Sequence, residues 1–155
     1  MKKILFLFLF CSALGFAQMP DISKVWLNES KPYEGTIGKN GEVLKLKINI
    51  SEQDKEKDQE YFVSGYSLVD KVYAKFEGKI KITKYKNSGK RGNVYGEYEF
   101  AEEDKGKHSG MLKGKFIYTF GWNKDENKIE NQYIQMIGDW FSYDKSMNFK
   151  TKLKN

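Results

Sequence analysis

Six times along this chain a glycine interrupts what otherwise reads as a β-strand: "YEGTI", "FVSGYS", "FEGKIKI", "VYGEYEF", "LKGKFIYTF" and "MIGDWFS". Glycine weakens a strand, because it adds backbone entropy and packs no side chain. Period-two alternation shows which way each one points. In "KVYAKFEGKIKIT", Val72, Ala74, Phe76, Gly78, Ile80 and Ile82 share one face, while Lys75, Glu77, Lys79 and Lys81 take the other. "EVLKLKINIS" places Leu44, Leu46, Ile48 and Ile50 inside, and "MNFKTKLK" places Phe149, Thr151 and Leu153 inside. This is the pattern of half-buried antiparallel strands with one wet face. In this phase Gly35, Gly65, Gly78, Gly96, Gly114 and Gly138 all face inward. An inward side chain obstructs a strongly coiled strand as a small barrel closes. Its removal lets the strand bend and lets a neighbouring aromatic ring lie over bare backbone. The glycines are therefore expected to be closure devices, a role compatible with making room for a ligand.

Eight strands are predicted near 33–37, 43–51, 59–66, 71–83, 93–100, 110–120, 132–141 and 147–154. The links between them are turn-like, as in "GKNG" with its Asn-Gly pair and "KYKNSGKRG". Helical periodicity is lacking, although "DISKVWLNES" at 21–30 has room for one turn. Each link is short enough to join sequence neighbours as hairpins. The expected fold is a single-domain, all-β, antiparallel up-and-down meander, closed into a soluble, roughly eight-stranded β-barrel so that no sheet edge is left exposed. The barrel domain would occupy 33–155, preceded by an N-terminal segment at 18–32.

The first residues carry an address. "MKK" is a positive n-region, "ILFLFLFCSAL" an apolar h-region, and "GFA" a small-residue cleavage site ending at Ala17. A cleaved Sec-type signal and a composition rich in Lys, Asn and Tyr give the expectation of a secreted or periplasmic bacterial protein. Removal of 17 of the 155 residues leaves 138, enough for one domain with a real core. It also removes Cys11, the sole cysteine, so the mature chain has no disulfide or thiolate chemistry. Loss of Lys2 and Lys3 lowers the formal charge from +6 to +4. Nearly all the positive charge is lysine, with Arg91 the one arginine, and bidentate phosphate readers are usually arginines. Basicity of this kind fits a solvated surface rather than a nucleic-acid site. An outer-membrane barrel would be apolar outside, whereas Lys75, Lys79, Lys81, Lys113 and Lys115 fall at the centres of outward strand faces. A membrane-spanning chain is not expected.

Hairpin-linked strands with repeated Gly-x-aromatic steps, together with "GDW" at Gly138–Trp140, resemble the calycin-type barrels of lipocalins and avidins. The Gly-x-Trp of lipocalins lies on the first strand and this one on the seventh, so the resemblance implies the barrel and carries over no functional residue.

The residues that do chemistry elsewhere are poorly placed for it here. His108, the only histidine, lies in the loop "DKGKHSG", and a neighbouring serine does not make a triad. "NKDENKIE" lacks the glycine and the final glutamate of a calcium loop. Glu77, Glu97, Glu99 and Asp139 fall on the lysine-rich outer face, and "EED" at 102–104 reads as a solvated turn. No catalytic residue, metal ligand or cofactor site is assigned, and no enzyme is expected. Recognition remains. The interior offers Phe76, Tyr98, Phe116, Tyr118 and Trp140 as candidates to line a seat for a small apolar or amphipathic ligand, with Phe100, Phe120, Met136 and Phe149 beside them. Alternatively an envelope protein, in an inhibitor or immunity-type pairing, would dock on a rim of loops. A meander brings 51–59, 84–92 and 121–131 to one end, so Lys84, Lys86, Lys90, Arg91 and Trp122 would meet there with Trp26.

Overall fold

The computed structural model describes residues 19–155; the signal expected over residues 1–17 lies outside them. One helical turn, α1 (Ser23–Trp26), precedes eight strands: β1 (Tyr33–Ile37), β2 (Glu42–Gln53), β3 (Glu60–Val69), β4 (Val72–Asn87), β5 (Arg91–Glu102), β6 (Gly110–Asn123), β7 (Lys128–Ser142) and β8 (Asn148–Lys154). Each strand pairs antiparallel with its sequence neighbours, and β1 pairs with β8, so the sheet closes into an up-and-down barrel. The inward phase holds through the strand centres: Leu44, Leu46, Ile48, Phe76, Ile80 and Phe100 are buried. Lys75, Lys79, Lys81, Lys113 and Lys115 are exposed on the outer face, where each would cost about 2–4 kcal/mol at the midplane of a bilayer. Among the described residues no helix is long and apolar enough to cross a membrane.

The glycines sit where two backbones press together. Gly114 on β6 faces Gly138 on β7. A Cβ on Gly114 would lie 2.2 Å from the Ile137 carbonyl oxygen and 2.6 Å from the Gly138 Cα. One on Gly138 would lie 2.2 Å from the Lys113 carbonyl oxygen. The Tyr98 hydroxyl fills the space over both, 2.8 Å and 2.7 Å from the two missing Cβ positions. The aromatic-over-glycine arrangement expected from the sequence is thus built from Tyr98, Gly114 and Gly138.

Departures from the expected pattern begin at three breaks in the ladder register. The register shifts between Ile48 and Ile50, between Ile82 and Lys84, and between Thr119 and Gly121. One extra residue in a strand sends everything beyond it to the other face. Ile50, expected inside, is therefore exposed on the outer face of β2. Past the other two shifts the strands continue rather than end. β4 runs to Asn87 and β6 to Asn123, and the hairpins shrink to 88–90 and 124–127. Lys84, Lys86, Arg91 and Trp122 consequently stand on strand ends, not in the loops expected to hold them.

A separate correction concerns Trp26. It does not join an exposed rim but inserts into the barrel end, fully buried, with its ring edge-on to Tyr61, Phe116 and Tyr118 at centroid distances of 5.8, 5.0 and 6.2 Å. Its carbonyl accepts a 2.9 Å hydrogen bond from the buried Tyr33 hydroxyl. The segment that carries it is tied to the barrel from the other side. Met19 N–H donates to Asp58 at 2.6 Å, Ile22 N–H to the Tyr61 hydroxyl at 3.2 Å, and the Gln53 amide to the Met19 carbonyl at 3.2 Å. Asn28, Glu29 and Ser30 then turn the chain into β1 with positive φ (47°, 53° and 65°), and the Asn28 amide spans the turn to the Lys31 carbonyl. A lone turn such as α1 has no stability of its own, so Trp26 packing holds it in place.

Two measurements of denaturant stability check this account. Gly114→Ala is expected to cost several kcal/mol, because the added methyl meets backbone that cannot give way, whereas Lys113→Val, next door and outward, should cost under about 1 kcal/mol. Trp26→Ala is expected to cost ~3–5 kcal/mol through the cavity left among Tyr61, Phe116 and Tyr118; a loss below 1 kcal/mol would show that the barrel end closes without it.

Candidate functional site

The two ends of the barrel differ. One carries the hairpins 54–59, 88–90 and 124–127, both ends of the described chain, and the Trp26 plug. The other carries the turns 38–41, 70–71, 103–109 and 143–147. At that second end Val72 and Phe149 face inward in strand phase yet are 58% and 37% exposed, so the barrel mouth is open. A pit of about 160 Å³ enters there, walled by Leu44, Val69, Ala74, Leu112, Trp140 and Phe149, with the last two rings stacked at 5.7 Å.

Glu102 lies in the wall of this pit, only 7% exposed. One carboxyl oxygen accepts from the Ser67 hydroxyl at 2.6 Å; the other accepts from the Trp140 indole N–H at 2.9 Å and the Gly110 N–H at 3.1 Å. Both carboxyl oxygens are thus held by neutral partners. Glu102 makes no ion pair among the described residues. Its carbonyl accepts from the Tyr143 hydroxyl. Burial, with the negative charges of Glu102 and Asp104, pushes the Tyr143 phenol up. The solvated turn expected at 102–104 is thus confined to Glu103 and Asp104. Strand β5 runs two residues further than expected, and the inward phase of Val94, Gly96, Tyr98 and Phe100 carries on to residue 102. Extending that alternation by one step would have found the glutamate. His108, in the loop above, also lies on the pit wall.

Of the five interior candidates, Trp140 alone reaches this pit. Phe76 stacks on Phe100 at 4.8 Å, and Phe116 and Tyr118 pack against Trp26. Tyr98 covers the glycine pair. Burial pushes the Tyr98 and Tyr118 phenols up to about 12, although the Thr151 hydroxyl near Tyr98 pulls the other way.

At the plugged end the structure brings together Lys90, Arg91 and Trp122 from the expected set. Arg91 pairs with Gly121 across β5 and β6, and the Trp122 N–H donates to the Lys90 carbonyl at 3.0 Å. Trp122 is 38% exposed on an apolar cleft of about 620 Å³, bounded also by Met19, Ile22, Tyr85 and Phe120. Lys84 and Lys86 lie on the outer wall of β4 beside Tyr95 and Lys115, away from that cleft. Compared with known proteins, the chain matches no family model, no curated protein and no solved structure.

Proposed function

We propose that this chain is an exported, non-enzymatic binding protein of calycin-like design, which holds a small apolar or amphipathic ligand at the open mouth of its β-barrel. Export rests on the signal pattern ending at Ala17, and the bacterial envelope or its exterior is the matching location. The single observation that carries the reading is the asymmetry of the barrel. Trp26 packs into one end, where the apolar cleft beside Trp122 has no charged residue in its lining, whereas the other end keeps an apolar pit with a hydrogen-bonded carboxylate in its wall. Apolar walls with a few placed polar groups are the usual make-up of a small-molecule seat. A volume of about 160 Å³ suits a ligand portion near the size of benzene, which occupies an engineered apolar cavity of roughly 150 Å³. Native mass spectrometry of the protein purified from its host is expected to show a co-purifying small molecule that Ala74→Phe, filling the pit, removes. A mass that is purely that of the chain, under conditions that preserve known complexes, would count against the reading.

A second reading, docking of an envelope protein on the plugged end, is favoured by the exposed Trp122 beside an apolar cleft and the single arginine. Aromatic and arginine anchors dominate such interfaces. Arg91→Ala combined with Trp122→Ala should leave the melting temperature nearly unchanged and abolish retrieval of the wild-type partner from envelope extract. Retrieval of the same partner by the double variant would remove this end from consideration.

A further inference from the structure

We infer that the ligand of the open mouth is a small organic ammonium ion, its charge set against Glu102 and its short hydrocarbon part against Leu44, Leu112 and Val69; this rests on the binding reading above. The chain carries 27 Lys and Arg against 21 Asp and Glu, so chance alone would put cations in most of its clefts. The pit is the reverse. Its ionisable wall residues are Glu42, Glu102 and His108, and it has neither lysine nor arginine.

Three neutral donors engage the two oxygens of Glu102 without cancelling its charge. A buried charge lacking a counter-charge is costly, and the carboxyl oxygen bonded by Ser67 accepts from that one donor alone, so it keeps acceptor capacity. An ammonium group supplies both the missing charge and a donor. The neighbouring Trp140 and Phe149 rings add attraction for a cation that a neutral ligand would not receive. An anion would meet two carboxylates on the pit wall. The volume limits the hydrocarbon part to about four to six carbons, judged against the benzene-sized cavity already cited.

The Trp140 indole N–H, bonded to Glu102, reports directly on the site. In the ¹⁵N-labelled mature chain its resonance is assigned by its loss in Trp140→Phe, and Trp26 and Trp122 serve as internal controls. Titrations use n-butylammonium, n-butanol and n-butyrate at 0.15 M KCl, which screens association with exposed carboxylates. Butylammonium is expected to shift the Trp140 indole saturably, with butanol at least tenfold weaker and butyrate without effect. Ala74→Phe, which keeps Glu102, should abolish the shift; Glu102→Gln, if folded by circular dichroism, should bring butylammonium down to the level of butanol. Butanol binding as tightly as butylammonium would overturn the cation assignment and leave a neutral seat at the mouth. Silence of Trp140 towards all three would overturn both the cation and the mouth as a binding site. A butylammonium shift that survives Ala74→Phe would overturn the placement.

Discussion

Backbone pressed against backbone is the contact on which this barrel depends. Where Gly114 meets Gly138, the space a side chain would need is taken by the carbonyl oxygens of Ile137 and Lys113. Strands that approach this closely coil hard, and a coiled sheet of eight strands meets its own first edge. The same contact creates a gap over the glycine pair that suits the tip of a tyrosine, and Tyr98 supplies it. Closure and core packing are thus one problem with one solution. The cost in strand propensity is borne by positions where no side chain fits.

Closure leaves two open ends, and the chain treats them differently. Residues before the first strand fold back over one end and fill it with a tryptophan, held by Asp58, Tyr61 and Tyr33. At the other end the strands simply stop, at different heights, around a carboxylate whose hydrogen bonds join three strands. Ser67, Gly110 and Trp140 belong to β3, β6 and β7, and Glu102 itself to β5. A polar hub of this kind ties the strands of the mouth to one another. The rigidity of the open end is therefore electrostatic, and that of the plugged end is a matter of aromatic packing.

The fold was legible because alternation is a local signal and glycine marks its phase. Eight strands, their inward faces and their order followed from residues such as Phe76, Gly78 and Ile80 alone. What escaped were events that add one residue or extend a strand past a polar stretch. Asn49 bulges and turns Ile50 outward; β5 continues through Ala101 to a glutamate that looked like the start of a turn. Trp26 escaped for a different reason. One helical turn carries no periodicity, and only the finished barrel end gives its indole somewhere to go. The candidate site was legible in part. Trp140 was in the interior set, while Glu102 was hidden by its charge, since a buried carboxylate is recognisable only once its donors are in place.

Of the eight strand pairings, seven join neighbours in sequence and one, β1 with β8, joins the two extremes of the chain. That seam is short, Glu34–Ile37 against Thr151–Lys154. Hairpins can form early from nearby residues, but this ladder has to wait until more than a hundred residues have been brought round, with the entropy of a long loop set against few hydrogen bonds. The seam is accordingly the last ladder to zip and the first place where the ring would part. Because both ends of the described chain lie at the same end of the barrel, a circular permutant opened at an exposed hairpin would turn this slow, non-local pairing into a local one while keeping the same closed sheet.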